Sequence, residues 1–130
     1  MTIRILLLWA AIIPMAIANG IFRDTVLARF FGQTRARTVS GLNLSAVILT
    51  WTLLTITWIP LPGPLPYAGV GLLWLALTVA FEFLFGRLVA RKSWQELLRA
   101  YRFEGGDIWP IVLIVVAASP LAAAALRILP

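Results

Sequence analysis

Glu82 lies in the run LTVAFEFLFGRLV, residues 77–89, with apolar side chains on both sides of it. A carboxylate in such a run has two uses. It can handle a proton or a cation, or it can anchor one helix to another through hydrogen bonds. The rest of the chain offers little further chemistry. It contains no cysteine and no histidine, which removes disulfides, thiolate nucleophiles, His-ligated haem and the usual zinc sites. The other four acidic residues stand outside the apolar runs, so neither a carboxylate-rich metal site nor a catalytic carboxylate pair is expected. The sequence therefore predicts no enzyme, no metal and no cofactor.

What must position Glu82 is a membrane bundle. Apolar residues make up 62% of the 130 residues and charged residues 12%, against roughly 45–50% and about 25% in soluble domains. Crossing roughly 30 Å of hydrocarbon takes about 20 mostly apolar residues. Four segments meet that length, at about 3–22, 39–59, 67–88 and 108–129. Each is expected to be helical, because lipid offers the backbone no hydrogen-bond partner and no barrel-like alternation is present. The predicted fold is all-α: one domain, 1–130, a bundle of four transmembrane helices.

The connections set the orientation. The link PLPGPLP, Pro60 to Pro66, is uncharged and rich in helix-stopping residues, and reads as a tight turn. Arg23, Arg29, Arg35 and Arg37 lie between the first and second spans. Arg87, Arg91, Lys92, Arg99 and Arg102 lie between the third and fourth. Nine of the eleven basic residues thus fall on one side, with Arg4 and Arg127 on the other. The positive-inside rule puts both basic connections in the cytoplasm and both termini outside. Ala16-Ile17-Ala18 after Pro14 has the small-x-small pattern of a signal-peptidase site. Cleavage there would set the first basic connection outside, against the charge bias, so the first span is expected to be retained. The net charge of +6 fits attraction to anionic headgroups rather than to nucleic acid, because the basic residues flank apolar spans. Arg29, Arg35, Arg37, Arg91, Lys92, Arg99 and Arg102 are the expected headgroup-facing cations.

The second basic connection holds SWQELLRAY. Ser93-x-x-Glu96 is a capping box, and Trp94, Leu97, Leu98 and Tyr101 recur at helical spacing. The pattern predicts a short amphipathic helix over about 94–102, lying in the headgroup plane with its apolar face down. Gly105-Gly106 should end it, Asp107 should cap the fourth span, and Trp109 should sit at the interface.

Orientation brings several polar groups to one depth. Glu82 precedes Arg87 by five residues, so it lies roughly 7 Å inside the cytoplasmic edge. Asn19 ends the first span just before Arg23. Asn43 and Ser45 open the second. Glu82 should therefore face inward and meet Asn19, Asn43 or Arg23, in a cluster that also holds Ser45. Trp9, Trp51, Trp58 and Trp74 are expected at the outer interface. Ala118, Ala122 and the run to Ala125 are expected to allow close helix contact.

The strings ANGIFRD, FEFLFGRLVARKSWQELL and GDIWPIVL resemble a group of small bacterial inner-membrane proteins with four spans, and the likeness covers most of the chain. No chemistry attaches to that group, so the resemblance implies architecture and a bacterial inner-membrane location alone. Small multidrug-resistance transporters share the four short helices and an embedded Glu. Their carboxylate is in the first helix and Glu82 is in the third, which leaves a likeness of size only. The leading expectation is a structural or accessory protein, acting through helix packing and its basic face on the bilayer, on itself as a homo-oligomer, or on a membrane-protein partner. The alternative is a small oligomeric transporter or channel with Glu82 as proton or cation acceptor.

Overall fold

The computed structural model describes residues 1–103 and 106–128. Every regular element among those residues is a helix, with no strand. Helix α1 spans Thr2–Phe22 and runs through a π-helical turn, Arg23–Leu27, into α2, Ala28–Thr55; a 3-10 turn, Ile56–Trp58, closes α2. Helices α3, Pro64–Leu88, α4, Trp94–Arg99, and α5, Trp109–Arg127, follow. Three continuous stretches are long and apolar enough to cross a membrane: Thr2–Trp58, Pro64–Leu88 and Trp109–Arg127. Such helices fit a membrane protein.

The first stretch is no single rod. Gly32 takes φ 79° and ψ 168°, outside the helical region, and the chain folds back there. Trp51 Nε1 donates to the Leu8 carbonyl at 3.1 Å and Arg4 donates to the Trp58 carbonyl at 3.1 Å, so α2 returns alongside α1. Helix α2 starts eleven residues before the apolar run that opens at Val39, because Arg, Gln, Ala and Thr all sustain a helix. Hydropathy marks where a helix turns greasy, not where it begins. Arg29, Arg35 and Arg37 therefore ride on helix rather than on a loop.

The PLPGPLP link is a tight turn, as its composition requires. Gly63 takes φ 91°, and Pro64 and Pro66 fall in the first turn of α3 where a missing N–H costs little. Tyr67 locks the turn. Its hydroxyl accepts from the Leu61 N–H and donates to the Ile59 carbonyl, both at 2.9 Å, and the residue is fully buried.

The core runs along the meeting line of α2, α3 and α5, with Ile48, Val70, Trp74, Val112, Val116 and Ala123 at its centre. Helices α3 and α5 approach until Gly71 touches the Ala117 backbone; a Cβ at position 71 would collide with the Ala117 carbonyl. Of Ala118, Ala122 and the run to Ala125, the middle of the run makes the expected close contact. Ala123 and Ala124 are fully buried, while Ala118 and Ala125 face outward. A second correction concerns Trp74, which is fully buried and donates Nε1 to the Ile5 carbonyl at 3.2 Å. It is a core side chain joining α3 to α1. Trp9 and Trp51 are half-buried and likewise hydrogen-bonded between helices; Trp58 alone of the four is exposed, with Arg4 over its ring at 5.3 Å.

The two basic connections share one end. Thr38 Oγ1 donates to the Gly106 carbonyl at 2.6 Å, tying α2 to the link before α5. Arg4 and Arg127 lie at the other end, where Arg127 donates to the Leu53 carbonyl at 2.6 Å. Helix α5 ends at Arg127; Leu129, the expected limit of the last span, lies outside the described residues.

Candidate functional site

Two polar groups occupy the basic end. The first joins α1 to α2. Asn19 Nδ2 donates to Ser40 Oγ at 2.7 Å and to the Ser40 carbonyl at 3.0 Å, and Asn43 Nδ2 donates to Asn19 Oδ1 at 2.7 Å. Asn19 and Ser40 are buried. The amide uses both its ends, which suits Asn at a helix crossing: it carries donors and acceptors on one short side chain.

The second group is built on Glu82. Its Oε2 accepts from Tyr101 Oη and from Trp109 Nε1, each at 2.7 Å. Both distances lie in the charge-assisted range. Tyr101 comes from the 3-10 turn that follows α4, and Trp109 from the first turn of α5. Glu82 thus ties α3 to the second basic connection and to the start of α5. Burial, followed by the Glu82 carboxylate, pushes the Tyr101 phenol up from its ordinary value. Tyr101 therefore stays a donor across the ordinary pH range.

Each expected member of the cluster can now be placed. Asn19 and Asn43 bond to each other, with Ser40 as a third member. Glu82 does not bond to Asn19, Asn43 or Arg23. Arg23 Nε donates to its neighbour Asp24 at 3.1 Å. Ser45 returns its hydroxyl to the Gly41 carbonyl of its own helix at 2.9 Å. The correction has one cause. Depth along the bundle follows from counting residues, but the direction a side chain faces around each helix depends on packing. Of the headgroup-facing cations, Arg29, Arg35, Arg91, Lys92, Arg99 and Arg102 are exposed and Arg37 is half-buried. Tyr101 and Trp109 are the residues that sequence reasoning missed. Their aromatic rings account for an interfacial reading; their O–H and N–H groups, within reach of an embedded carboxylate, carry the other signal.

Helix α4 is held against the end of α3. Ser93 Oγ accepts from the Glu96 N–H at 3.2 Å and donates to the Glu96 carboxylate at 3.3 Å, so the capping box forms with a side chain to side chain return. Leu97 packs into the space left by Gly86, where a Cβ would strike it. Tyr101 stacks on Phe83 at 6.0 Å, Trp94 tilts against Phe83 at 5.8 Å, and the Arg87 guanidinium sits over Trp94 at 4.9 Å. Phe103, with φ 58°, ends the turn that Gly105-Gly106 was expected to end; Gly105 lies outside the described residues. Ile108, not Asp107, is the N-cap of α5; Asp107, one residue earlier, accepts from the Trp109 N–H at 3.1 Å.

Both polar groups border one cavity of about 500 Å³. Along it Trp9 of α1 bridges to α3, Nε1 to Thr78 Oγ1 at 3.0 Å and the ring edge on Phe81 at 6.4 Å. Ile12, Leu44 and Val112 form its apolar floor. Among the described residues no buried side-chain nitrogen or oxygen lacks a hydrogen-bond partner, and no three His, Cys, Asp or Glu side chains gather as metal ligands would. The class defined by these features is an all-helical protein with membrane-spanning helices and a polar-mouthed cavity at its basic end. No known protein family, curated protein or solved structure matches the chain.

Proposed function

We propose that the chain is a four-span membrane protein of structural or accessory type, acting through helix packing and a basic cytoplasmic face and catalysing no reaction. The supporting observation is how the embedded polar groups are used. Asn19, Ser40 and Asn43 join α1 to α2, and Glu82 joins α3 to Tyr101 and Trp109, so each is committed to holding helices together. The break at Gly32 supports four spans. Helix α1 has 21 residues, about 31 Å at a helical rise of 1.5 Å per residue, and Gln33–Thr55 is about as long. Each limb alone matches roughly 30 Å of hydrocarbon. Helix α4, capped by Ser93, then lies at the cytoplasmic interface, in the bacterial inner membrane that the sequence resemblance implies, with both termini outside. Exposed Phe30, Phe31, Trp94 and Leu98 around the arginines suit that depth.

The threading is open to test because the chain has no cysteine. Single cysteines at Arg35 and Arg91 should react with an impermeant maleimide from the cytoplasmic side, and one at Pro62 from the opposite side. Labelling of all three from one side would end the four-span reading. The accessory role predicts a reproducible membrane partner, or a second copy of this chain, in cross-linked pull-downs from native membranes.

A second reading is favoured by one observation, that Glu82 and Asn19 border the same cavity. On that reading the protein is a small oligomeric transporter or channel with Glu82 as proton or cation acceptor. Reconstituted protein would then show pH-dependent flux that Glu82→Gln abolishes. Flux that survives in Glu82→Gln, or is absent from the wild type, leaves Glu82 as an anchor.

A further inference from the structure

The cavity is amphipathic along its length. Ile13 and Ile17 of α1 face Phe81 and Phe85 of α3 across it, and Ile17 and Phe85 are 47% and 42% exposed. Both lie on the outer surface of the helix pair, so the cleft opens sideways, toward where acyl chains would be. At the basic end, four cations from four different parts of the chain border it: Arg23 of the π turn, Arg37 of α2, Lys92 of the α3–α4 link and Arg99 of α4. Four carboxylates border the same rim, Asp24, Glu82, Glu96 and Asp107. Among the described residues the rim thus carries groups of both signs. Glu82, Glu96 and Asp107 each accept a hydrogen bond from a neutral protein donor, and Asp24 accepts one from Arg23. A volume of about 500 Å³ falls within the roughly 300–1,000 Å³ of ligand pockets.

We propose that the cleft between α1 and α3 binds one zwitterionic phospholipid of the surrounding membrane, an acyl chain lying between Ile17 and Phe85 and the phosphodiester among Arg23, Arg37, Lys92 and Arg99. The inference rests on the membrane-spanning reading above. Ile12, Leu44 and Val112 offer no hydrogen bonds, so the cavity suits an amphipathic ligand better than a wholly polar one. The mixed signs along the rim suit a headgroup that carries both charges. The cations meet the phosphate, and the carboxylates meet an ammonium that a purely anionic lipid lacks. The polar end lies at the cytoplasmic edge, where a headgroup stands, and the apolar wall lies deeper, so the lipid keeps the depth it has in the bilayer.

The experiment is native mass spectrometry of the full chain released from mild detergent, titrated with phosphatidylethanolamine, phosphatidylglycerol or glycerophosphoethanolamine. The expected result is one saturable phosphatidylethanolamine adduct, retained more strongly than phosphatidylglycerol and not displaced by the chainless glycerophosphoethanolamine. Ile17→Trp fills the cleft and should abolish that adduct. Arg37→Gln and Arg99→Gln should each weaken it about fivefold, the effect of one cation near a membrane surface. Circular dichroism verifies that each variant is folded, and Ile13→Trp replaces any cleft variant that is not. Adducts that do not saturate, or that persist unchanged in the folded cleft-filled variant, reduce the lipid to a general annulus and overturn the proposal. Stronger retention of phosphatidylglycerol overturns the headgroup assignment, and displacement by glycerophosphoethanolamine overturns the acyl-chain contact. Cysteine labelling reports the threading independently, so loss of the lipid site and loss of the four-span reading are separate results.

Discussion

Replacing Glu82 by leucine removes the shared acceptor of Tyr101 and Trp109, each now at 2.7 Å from Oε2. A hydrogen bond to a charged group contributes roughly 1.5–3 kcal/mol in soluble proteins. Between membrane helices the measured range is lower, about 0.6–1.7 kcal/mol per bond, because the separated helices also find partners. Glu82, Tyr101 and Trp109 are half-buried, so water at the cavity mouth takes up part of the loss and the lower range applies. Two bonds then give about 1–3 kcal/mol for Glu82→Leu. Glu82→Gln keeps a carbonyl acceptor in the same place and should retain much of both bonds. The expected order of stability is wild type, then Gln, then Leu. Reversible unfolding in mixed micelles, followed by circular dichroism, measures it. Tyr101→Phe in both backgrounds completes a double-mutant cycle, and the coupling with Glu82 should be about 0.6–1.7 kcal/mol. A Leu variant as stable as wild type, or a coupling within error of zero, would refute the claim that Glu82 holds the second basic connection to α3.

Asn19→Ala strands the donor of Asn43 and the hydroxyl of Ser40, and should cost about 1–3 kcal/mol in the same unfolding assay; Ser45→Ala, whose hydroxyl bonds only to its own helix, should cost near zero. Gly71→Ala drives a methyl group into the Ala117 backbone and should destabilise by about 1–3 kcal/mol through overpacking, while Gly69→Ala, which meets open space, should not, as thermal melts in detergent would record. The Tyr101 phenol titrates higher in the folded chain than its ordinary 10.0, so the folded state holds that proton more tightly. Its stabilising contribution is complete below about pH 10 and declines as pH rises above it. Unfolding midpoints should fall above pH 10 with a slope that Tyr101→Phe reduces.

Much of the architecture was legible because hydrocarbon length and charge placement act on the chain segment by segment. The apolar runs at 67–88 and 108–129 coincide with α3 and α5 to within a few residues, and the PLPGPLP turn and the Ser93 capping box both follow from short local patterns. The start of α2 did not, because a polar helix and a polar loop are alike in hydropathy and differ only in backbone hydrogen bonds. Trp74 misled for a related reason. Its indole is equally at home in an interface and in a core, and only the proximity of the Ile5 carbonyl decides between them.

The sequence by itself determined that this is a helical chain with segments long and apolar enough to span a membrane, and that most of its cations gather at one end. These properties follow from composition and from the 1.5 Å rise of each residue along a helix axis. Only the tertiary structure decided which groups meet. It turned Asn19 toward Ser40 and Asn43, and Glu82 toward Tyr101 and Trp109, because rotation about each helix axis is set by packing contacts such as Gly71 against Ala117 and Leu97 against Gly86. Those contacts join residues far apart in the chain, and no local pattern encodes them.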